Sequence, residues 1–164
     1  MSRGRVYVRV GGIVVLLLTV GLLWFAFRNE TARVDPAVLT ELRALGQVVG
    51  EDTGTFHEWE NDYLEIEYLV VHLDGSAEED PVVEVERRLT RAGWYMDDRQ
   101  PSEISLKSAK WSYTSIGVQR LSEVADVRDE LRAAVARSGL ASDKMVYLSV
   151  YPWGTVTETA GARS

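Results

Sequence analysis

The chain has 164 residues, enough for one modest globular domain and one membrane segment but not for two full domains. Its 25 acidic residues outnumber its 18 basic ones, and this excess disfavours nucleic acid and other polyanions as partners. Because the chain has no cysteine, disulfides and thiolate metal sites are excluded.

The first predicted element is a transmembrane helix at residues 10–27, which carry no charge. A helix of this length rises about 1.5 Å per residue and spans roughly 27 Å, close to the hydrocarbon thickness of a bilayer. The basic residues before it lack acidic neighbours, which predicts that the N-terminus stays in the cytoplasm. The residues expected to anchor its two ends are Arg3, Arg5, Arg9, Trp24 and Arg28.

These features predict an uncleaved signal anchor in the cell membrane with the C-terminal part outside the cytoplasm. One alternative is a cleaved signal peptide, which would have a shorter apolar core and a small-x-small cleavage site. The other is a buried helix of a soluble domain. The composition, rich in Arg, Val, Ala and Glu with few Lys, is typical of a GC-rich bacterial genome.

The anchor divides the chain into predicted segments. They are a basic cytoplasmic N-terminus (1–9), a transmembrane signal anchor (10–27), a tether (28–36), an extracytoplasmic α+β domain (37–153) and a flexible tail (154–164).

The domain begins with a predicted amphipathic helix from Pro36 to Gly50. Its apolar stripe is Val38, Leu42, Leu45 and Val49. The acidic residues that follow are predicted to be a connector, which leads into a strand over 63–73.

Asp80 and Pro81 predict the start of a second helix, which Gly93 ends, and a short strand follows at 94–97. Residues 103–120 are rich in β-formers and predict either one bent strand or a hairpin broken near residues 108–110. A third helix is predicted from a cap at Ser122 to Gly139, and a last strand at 144–153.

Two strand–helix–strand halves in series give the element order βαββαβ. With right-handed crossovers this order predicts an α+β, ferredoxin-like sheet with both helices on one face and an extra N-terminal amphipathic helix.

Alternation along the last strand separates aliphatic side chains from aromatic and small polar ones. The second set predicts a ligand-binding platform on one sheet face. The alternative, which we favour, is that the stripe of the first helix covers this face as ordinary core. The candidate ligand-binding residues are Trp111, Tyr113, Tyr147, Tyr151 and Trp153.

Thirteen acidic residues and no basic one lie between Arg43 and Arg87. Clustered carboxylates suit a hard cation such as Ca²⁺, although their spacing does not match the helix–loop–helix calcium motif. The alternative, which we favour, is the solvated edge of an ordinary domain. The candidate metal ligands are Glu58, Glu60, Asp62, Glu65 and Glu67.

No sequence motif specifies catalysis. Residues 57–61, "HEWEN", begin like a zinc-protease motif but have Asn61 where the second histidine is required. The sequence also lacks a Gly-x-Ser-x-Gly elbow and a phosphate-binding glycine loop. We therefore expect no enzymatic activity and no cofactor.

The resulting functional hypothesis is a single-pass membrane protein whose acidic domain is a non-catalytic interaction or accessory module of the cell envelope. Its expected partners are the membrane and another envelope protein, and not nucleic acid. The alternative is an extracytoplasmic module that binds a small ligand or a cation.

Overall fold

The computed structural model of the protein describes residues 31–59, 62–74 and 80–152. The chain divides into two compact units, Met1–Glu30 and Thr31–Ser164, and all of the described residues belong to the second unit. The predicted basic N-terminus, the predicted anchor and the tail at 154–164 lie outside the described residues.

The prediction of a transmembrane helix at 10–27 finds no support in the structure, which does not describe those residues. In the part of the chain that is described, no helix is long and apolar enough to cross a membrane. The longest described helix has 11 residues, whereas a spanning helix needs about 20. The prediction rested on the apolar length of 10–27 and its flanking charges alone. The signal anchor and the single-pass cell-membrane localisation likewise find no support in the described residues.

Seven strands form a single sheet. They are β1 (Thr31–Ala32), β2 (Gln47–Trp59), β3 (Asp62–His72), β4 (Trp94–Arg99), β5 (Glu103–Ser108), β6 (Thr114–Arg120) and β7 (Met145–Pro152). Six of them follow the antiparallel order β2–β3–β7–β6–β5–β4. The two-residue strand β1 pairs in parallel with Tyr63 and Leu64 of β3, at the end of β3 that β7 does not reach.

Three α-helices pack on this sheet: α1 (Pro36–Arg43), α2 (Pro81–Arg91) and α3 (Asp129–Ser138). Two 3₁₀ turns, Leu121–Glu123 and Ser142–Lys144, connect α3 to the strands before and after it. The helix α1 starts where Asp35 accepts a hydrogen bond of 2.8 Å from the Ala37 N–H, and α2 starts in the same way at Asp80. Gly139 ends α3 with a φ of +65°, a conformation that suits glycine.

The main hydrophobic core lies between the sheet and the helices α1 and α2. Val38 and Leu42 of α1 and Val85 and Leu89 of α2 are fully buried there. They pack on the aliphatic side chains of the central strands, among them Val71, Ile104, Leu106, Ile116, Val118, Val146, Leu148 and Val150. Burial of this kind supplies most of the favourable free energy of folding.

A second, smaller core lies on the opposite sheet face under α3. Leu131 of α3 is 1% exposed and packs with Val70, Met145 and Tyr147. The helix also approaches β2 closely, since a β-carbon on Gly50 would lie 2.9 Å from that of Ala134. Helices therefore cover both faces of the sheet.

The predicted ferredoxin-like fold is wrong. Its βαββαβ order has helices on one face only, whereas the described chain runs β1–α1–β2–β3–α2–β4–β5–β6–α3–β7 with helices on both faces. The main cause is the acidic segment from Glu51, which was predicted to be a connector. It forms most of β2 and pairs with residues 62–69 of β3.

Several local predictions are confirmed. The helix from Pro81 to Gly93, the hairpin within 103–120 and the last strand all form. The first helix is shorter than predicted, because the chain enters β2 at Gln47. The third helix is also shorter, because a 3₁₀ turn and a bend replace its first predicted turns.

Candidate functional site

The helix α3 covers only part of the sheet face opposite α1 and α2. The rest of that face is lined by polar and small side chains. The even-numbered residues of β5 to β7, such as Leu106 and Leu148, point into the main core. Because side chains alternate along a strand, their neighbours point to the other face. We call this second set the polar face: Glu103, Ser105, Lys107, Ser115, Gly117, Gln119, Ser149 and Tyr151.

The strand register aligns the polar face in rows across the sheet. One row runs from Ser105 through Gly117 and Ser149 to Tyr68 of β3. The adjacent row runs from Glu103 through Gln119 to Tyr147. The small residues of the first row therefore form a floor between larger side chains.

Gly117 lies at the centre of this floor. A β-carbon at this position would lie within 3.0 Å of both Oε1 of Glu103 and Oγ of Ser149. The carboxylate and the hydroxyl thus meet over the glycine, in space that any other residue would occupy. Gln119 holds the carboxylate in place, since its Nε2 donates a hydrogen bond of 2.7 Å to Oε2 of Glu103.

Six hydroxyl groups on or beside the polar face make no hydrogen bond to any described residue. They belong to Ser105, Ser115, Ser149, Tyr68, Tyr147 and Tyr151. Ser149 is only 5% exposed. Among the described side chains, the only fully enclosed polar atom without a partner is Nδ1 of His72, so these hydroxyls all reach the surface.

The tyrosines beside the polar face are held in the neutral form. Burial raises the pKa of Tyr147 to about 12, and the neighbouring Tyr68 and Tyr151 add to the shift. Burial also raises the pKa of Tyr68, whose ring centroid lies 5.8 Å from that of Tyr147. These groups can therefore donate a proton in a hydrogen bond but do not supply negative charge at neutral pH.

The cationic side chains near the polar face already have acidic partners. Nζ of Lys107 lies 2.9 Å from Oδ2 of Asp97. Arg128 pairs with Asp52, and its guanidinium lies 5.2 Å from the centroid of the Tyr68 ring. Within the described chain, Glu103 has no such cationic partner. The centre of the polar face therefore carries an uncompensated negative charge.

The structure separates the predicted ligand-binding residues. Tyr147 and Tyr151 lie on the same face of β7 with Ser149 between them, as the alternation predicted. Trp111 lies on the other side, partly buried against the main core, where its indole N–H donates a 3.2 Å hydrogen bond to Glu41 of α1. Tyr113 lies in the turn before β6, and Trp153 lies outside the described residues.

The helix that we expected to cover the aromatic face lies elsewhere. Val38 and Leu42 of α1 pack on the aliphatic sheet face, and α3 covers Tyr147 instead. Platform residues Tyr147 and Tyr151 thus lie at the boundary between α3 and the polar face. Whether they bind a ligand stays a prediction.

The acidic residues predicted to bind a cation have protein partners where they are described. Glu65 pairs with Arg33 at 2.8 Å, and Glu67 accepts a 2.9 Å hydrogen bond from the hydroxyl of Thr53. Within the described residues, no group of three or more acidic or histidine side chains is arranged to hold a metal ion. The side chains of Glu58, Glu60 and Asp62 lie outside that description, so the cation site stays a prediction.

The same acidic region is neutralised by arginines from earlier in the chain. Arg43, in the last turn of α1, donates two hydrogen bonds to Glu51, of 2.6 and 2.7 Å. These bonds lower the pKa of the Glu51 carboxyl. Sequence inspection could not reveal this, because Arg43 marks the border of the region that lacks basic residues.

Sequence reasoning missed the central residues of the polar face, namely Glu103, Ser105, Gly117, Gln119 and Ser149 as a set. The signal was present as alternation in "EISLKS" (103–108) and "TSIGVQR" (114–120). Their convergence on Gly117 depends on strand register, which alternation alone does not provide.

Comparison of the chain with protein-family models, with curated protein sequences and with solved structures gave no match.

Proposed function

We propose that this protein is a non-catalytic binding module that holds a partner against the polar face. The observation that carries the proposal is Ser149, which is 5% exposed and whose hydroxyl makes no hydrogen bond to the described chain. The hydroxyl still reaches the surface, so a bound partner can meet it and replace the water there with its own hydrogen-bonding group. A bound partner would supply what the protein itself does not.

The surrounding groups support binding rather than catalysis. The hydroxyls of Ser105, Ser115 and Tyr151 can each donate and accept a hydrogen bond, so they suit a ligand with both kinds of group. The carboxylate of Glu103 is held by the neutral amide of Gln119, which cannot serve as its acid or base partner. Neither histidine of the chain lies on the polar face.

The test uses site-specific photocrosslinking of the full chain in its native cells. A photoreactive residue at Ser115, on the polar face, is compared with one at Ala133, which is exposed on α3. We expect a discrete crosslinked product from position 115 that is absent from position 133. No product from position 115, or the same products from both positions, would contradict the proposal.

The product must also depend on the shape of the polar face. Ser105→Trp should fill the floor beside Gly117 and abolish the product, whereas Ala133→Trp should leave it unchanged. The melting temperatures of both variants serve as the folding control. If Ser105→Trp unfolds the protein, Ser105→Gln provides the milder obstruction. Persistence of the product in a folded, obstructed variant would count against the polar face.

A further inference from the structure

We infer that the partner presents a cation to the polar face, the ammonium or guanidinium group of a lysine or arginine in a basic polypeptide segment, and that Glu103 receives it. This inference rests on the proposed binding function and specifies its chemistry.

The carboxylate of Glu103 is incompletely satisfied by the protein. It is half-buried over Gly117, and within the described chain it accepts one hydrogen bond, from the amide of Gln119. An ionised carboxylate has two oxygens with about four acceptor sites, and a partly desolvated one is stabilised by a positive partner. One neutral donor therefore leaves most of the acceptor sites of this carboxylate available to a ligand.

The cationic side chains nearest to the polar face are already engaged. Lys107 is paired with Asp97, and Arg128 with Asp52. Recruiting either one to Glu103 would leave another carboxylate without its partner. The missing positive charge is more favourably supplied from outside the described chain.

Ser149 is a second, independent feature of the same site. Its hydroxyl reaches the surface beside the Glu103 carboxylate over Gly117 and has no partner among the described residues. An ammonium group has three N–H donors and a guanidinium has five, so either can reach the carboxylate and the hydroxyl together. The neighbouring ring of Tyr151 adds an electron-rich face, as Tyr68 does for Arg128 at 5.2 Å.

A polypeptide fits this surface better than a metal ion does. Ca²⁺ takes six to eight oxygen ligands, often from several carboxylates, whereas one carboxylate lies over Gly117. The adjacent hydroxyls of Ser105 and Ser115 can pair with the N–H and C=O groups of a peptide backbone. Residues 31–152 also contain 23 acidic and 13 basic side chains, which attracts a basic segment over a longer range.

The test compares two acetylated nine-residue peptides in titrations of the ¹⁵N-labelled full chain. One has three arginines separated by Gly and Ser, and the other has citrulline, a neutral isostere, at those three positions. We expect the arginine peptide to shift the backbone amide signals of Ser105, Gly117 and Ser149. The citrulline peptide should bind at least about tenfold more weakly, because it lacks the positive charge that strengthens a hydrogen bond to a carboxylate.

Glu103→Gln should weaken binding of the arginine peptide by about tenfold or more, whereas Glu130→Gln, on the exposed side of α3, should not. Glutamine keeps the shape of the side chain and an acceptor for Gln119, so a folded variant is expected. Equal binding to the Glu103→Gln variant, or shifts spread over other acidic surfaces, would overturn the cation inference.

The outcomes separate this inference from the proposed function. Equal binding of both peptides at the polar face overturns the need for a cation but upholds a binding surface. No shift at the polar face, together with a face-dependent crosslink from position 115, also overturns the inference and leaves the proposed function supported. Failure of both experiments overturns both.

Discussion

The side chain of Glu41 connects α1 to the far half of the sheet. Its two carboxylate oxygens accept indole N–H groups from Trp94, at 2.6 Å, and from Trp111, at 3.2 Å. Nζ of Lys110 lies 3.5 Å away and completes the cluster. One carboxylate thus satisfies two aromatic donors from different segments of the chain.

We predict that Glu41→Ala lowers the free energy of unfolding by about 1–3 kcal/mol. Trp94 is 2% exposed, so its N–H would lose its acceptor without gaining full access to water. Alanine favours helices, so the loss cannot come from helix propensity. Urea denaturation followed by tryptophan fluorescence measures the change. Glu130→Ala on the exposed face of α3 is the control, and an equal effect there would refute the role of Glu41.

The raised pKa of Tyr147 makes stability depend on alkaline pH. The folded-state pKa of about 12 lies above the ordinary value of about 10. The neutral form is favoured by folding, so its contribution is fully present below pH 10 and is lost as the pH rises from 10 through 12. We predict that Tyr147→Phe loses less stability than the wild type over this interval.

Urea midpoints at pH 8, 10 and 11 test this prediction. Tyr95→Phe serves as a matched control, because the ring of Tyr95 is 51% exposed on the edge strand β4. The same alkaline loss in Tyr147→Phe and in the wild type would show that ionisation of Tyr147 is not responsible.

Asp80 precedes the first residue of α2 and stabilises the start of this helix in two ways. Asp80 accepts a 3.0 Å hydrogen bond from the Val82 N–H and also pairs with Arg120 at the end of β6. Burial alone would raise the pKa of Asp80, but the bonds from Arg120 and the backbone outweigh it and lower the pKa. The residue therefore both caps the helix and attaches it to the sheet.

Two substitutions separate these roles. Asp80→Ala removes the cap and the ion pair and should cost about 1–2 kcal/mol of stability. Asp80→Asn keeps a capping oxygen and removes the charge, and should cost less than about 1 kcal/mol because the pair is partly exposed. Chemical denaturation at neutral pH compares them. Equal losses would assign the stabilisation to the ion pair and not to the cap.

At the scale of the whole molecule, the sequence predicted those helices and strands that are determined by residues close to one another in the chain. Asp80 followed by Pro81 starts a helix through a side-chain cap, and Gly93 ends it with a φ of +96°. The alternation in 103–120 and 144–153 likewise identified strands that the structure contains. In these cases the residues that determine the structure are neighbours in the chain.

The long strand β2 was not predictable in this way. Its acidic residues disfavour a strand locally, and their partners come from elsewhere, as Arg43 does for Glu51 and Arg128 for Asp52. The end of α1 also depends on a distant contact, because a β-carbon on Gly46 would meet the backbone carbonyl of His72. The ferredoxin-like prediction failed because these contacts are non-local.

The polar face was only partly predictable. Alternation placed Tyr147 and Tyr151 on one side of β7 correctly. It could not show that α1 packs on the other face, because an apolar helix stripe fits either side of a sheet. Nor could it bring Glu103 to Gly117, since this requires the register between β5 and β6.

The position of β7 has a consequence for synthesis of the protein. This strand pairs with β3 on one side and β6 on the other, yet it leaves the ribosome after every other described strand. Until it emerges, the nascent chain holds two separate groups of strands, each with an open edge that can pair wrongly with other chains. The sheet can therefore close only from its middle, once the last described strand has emerged.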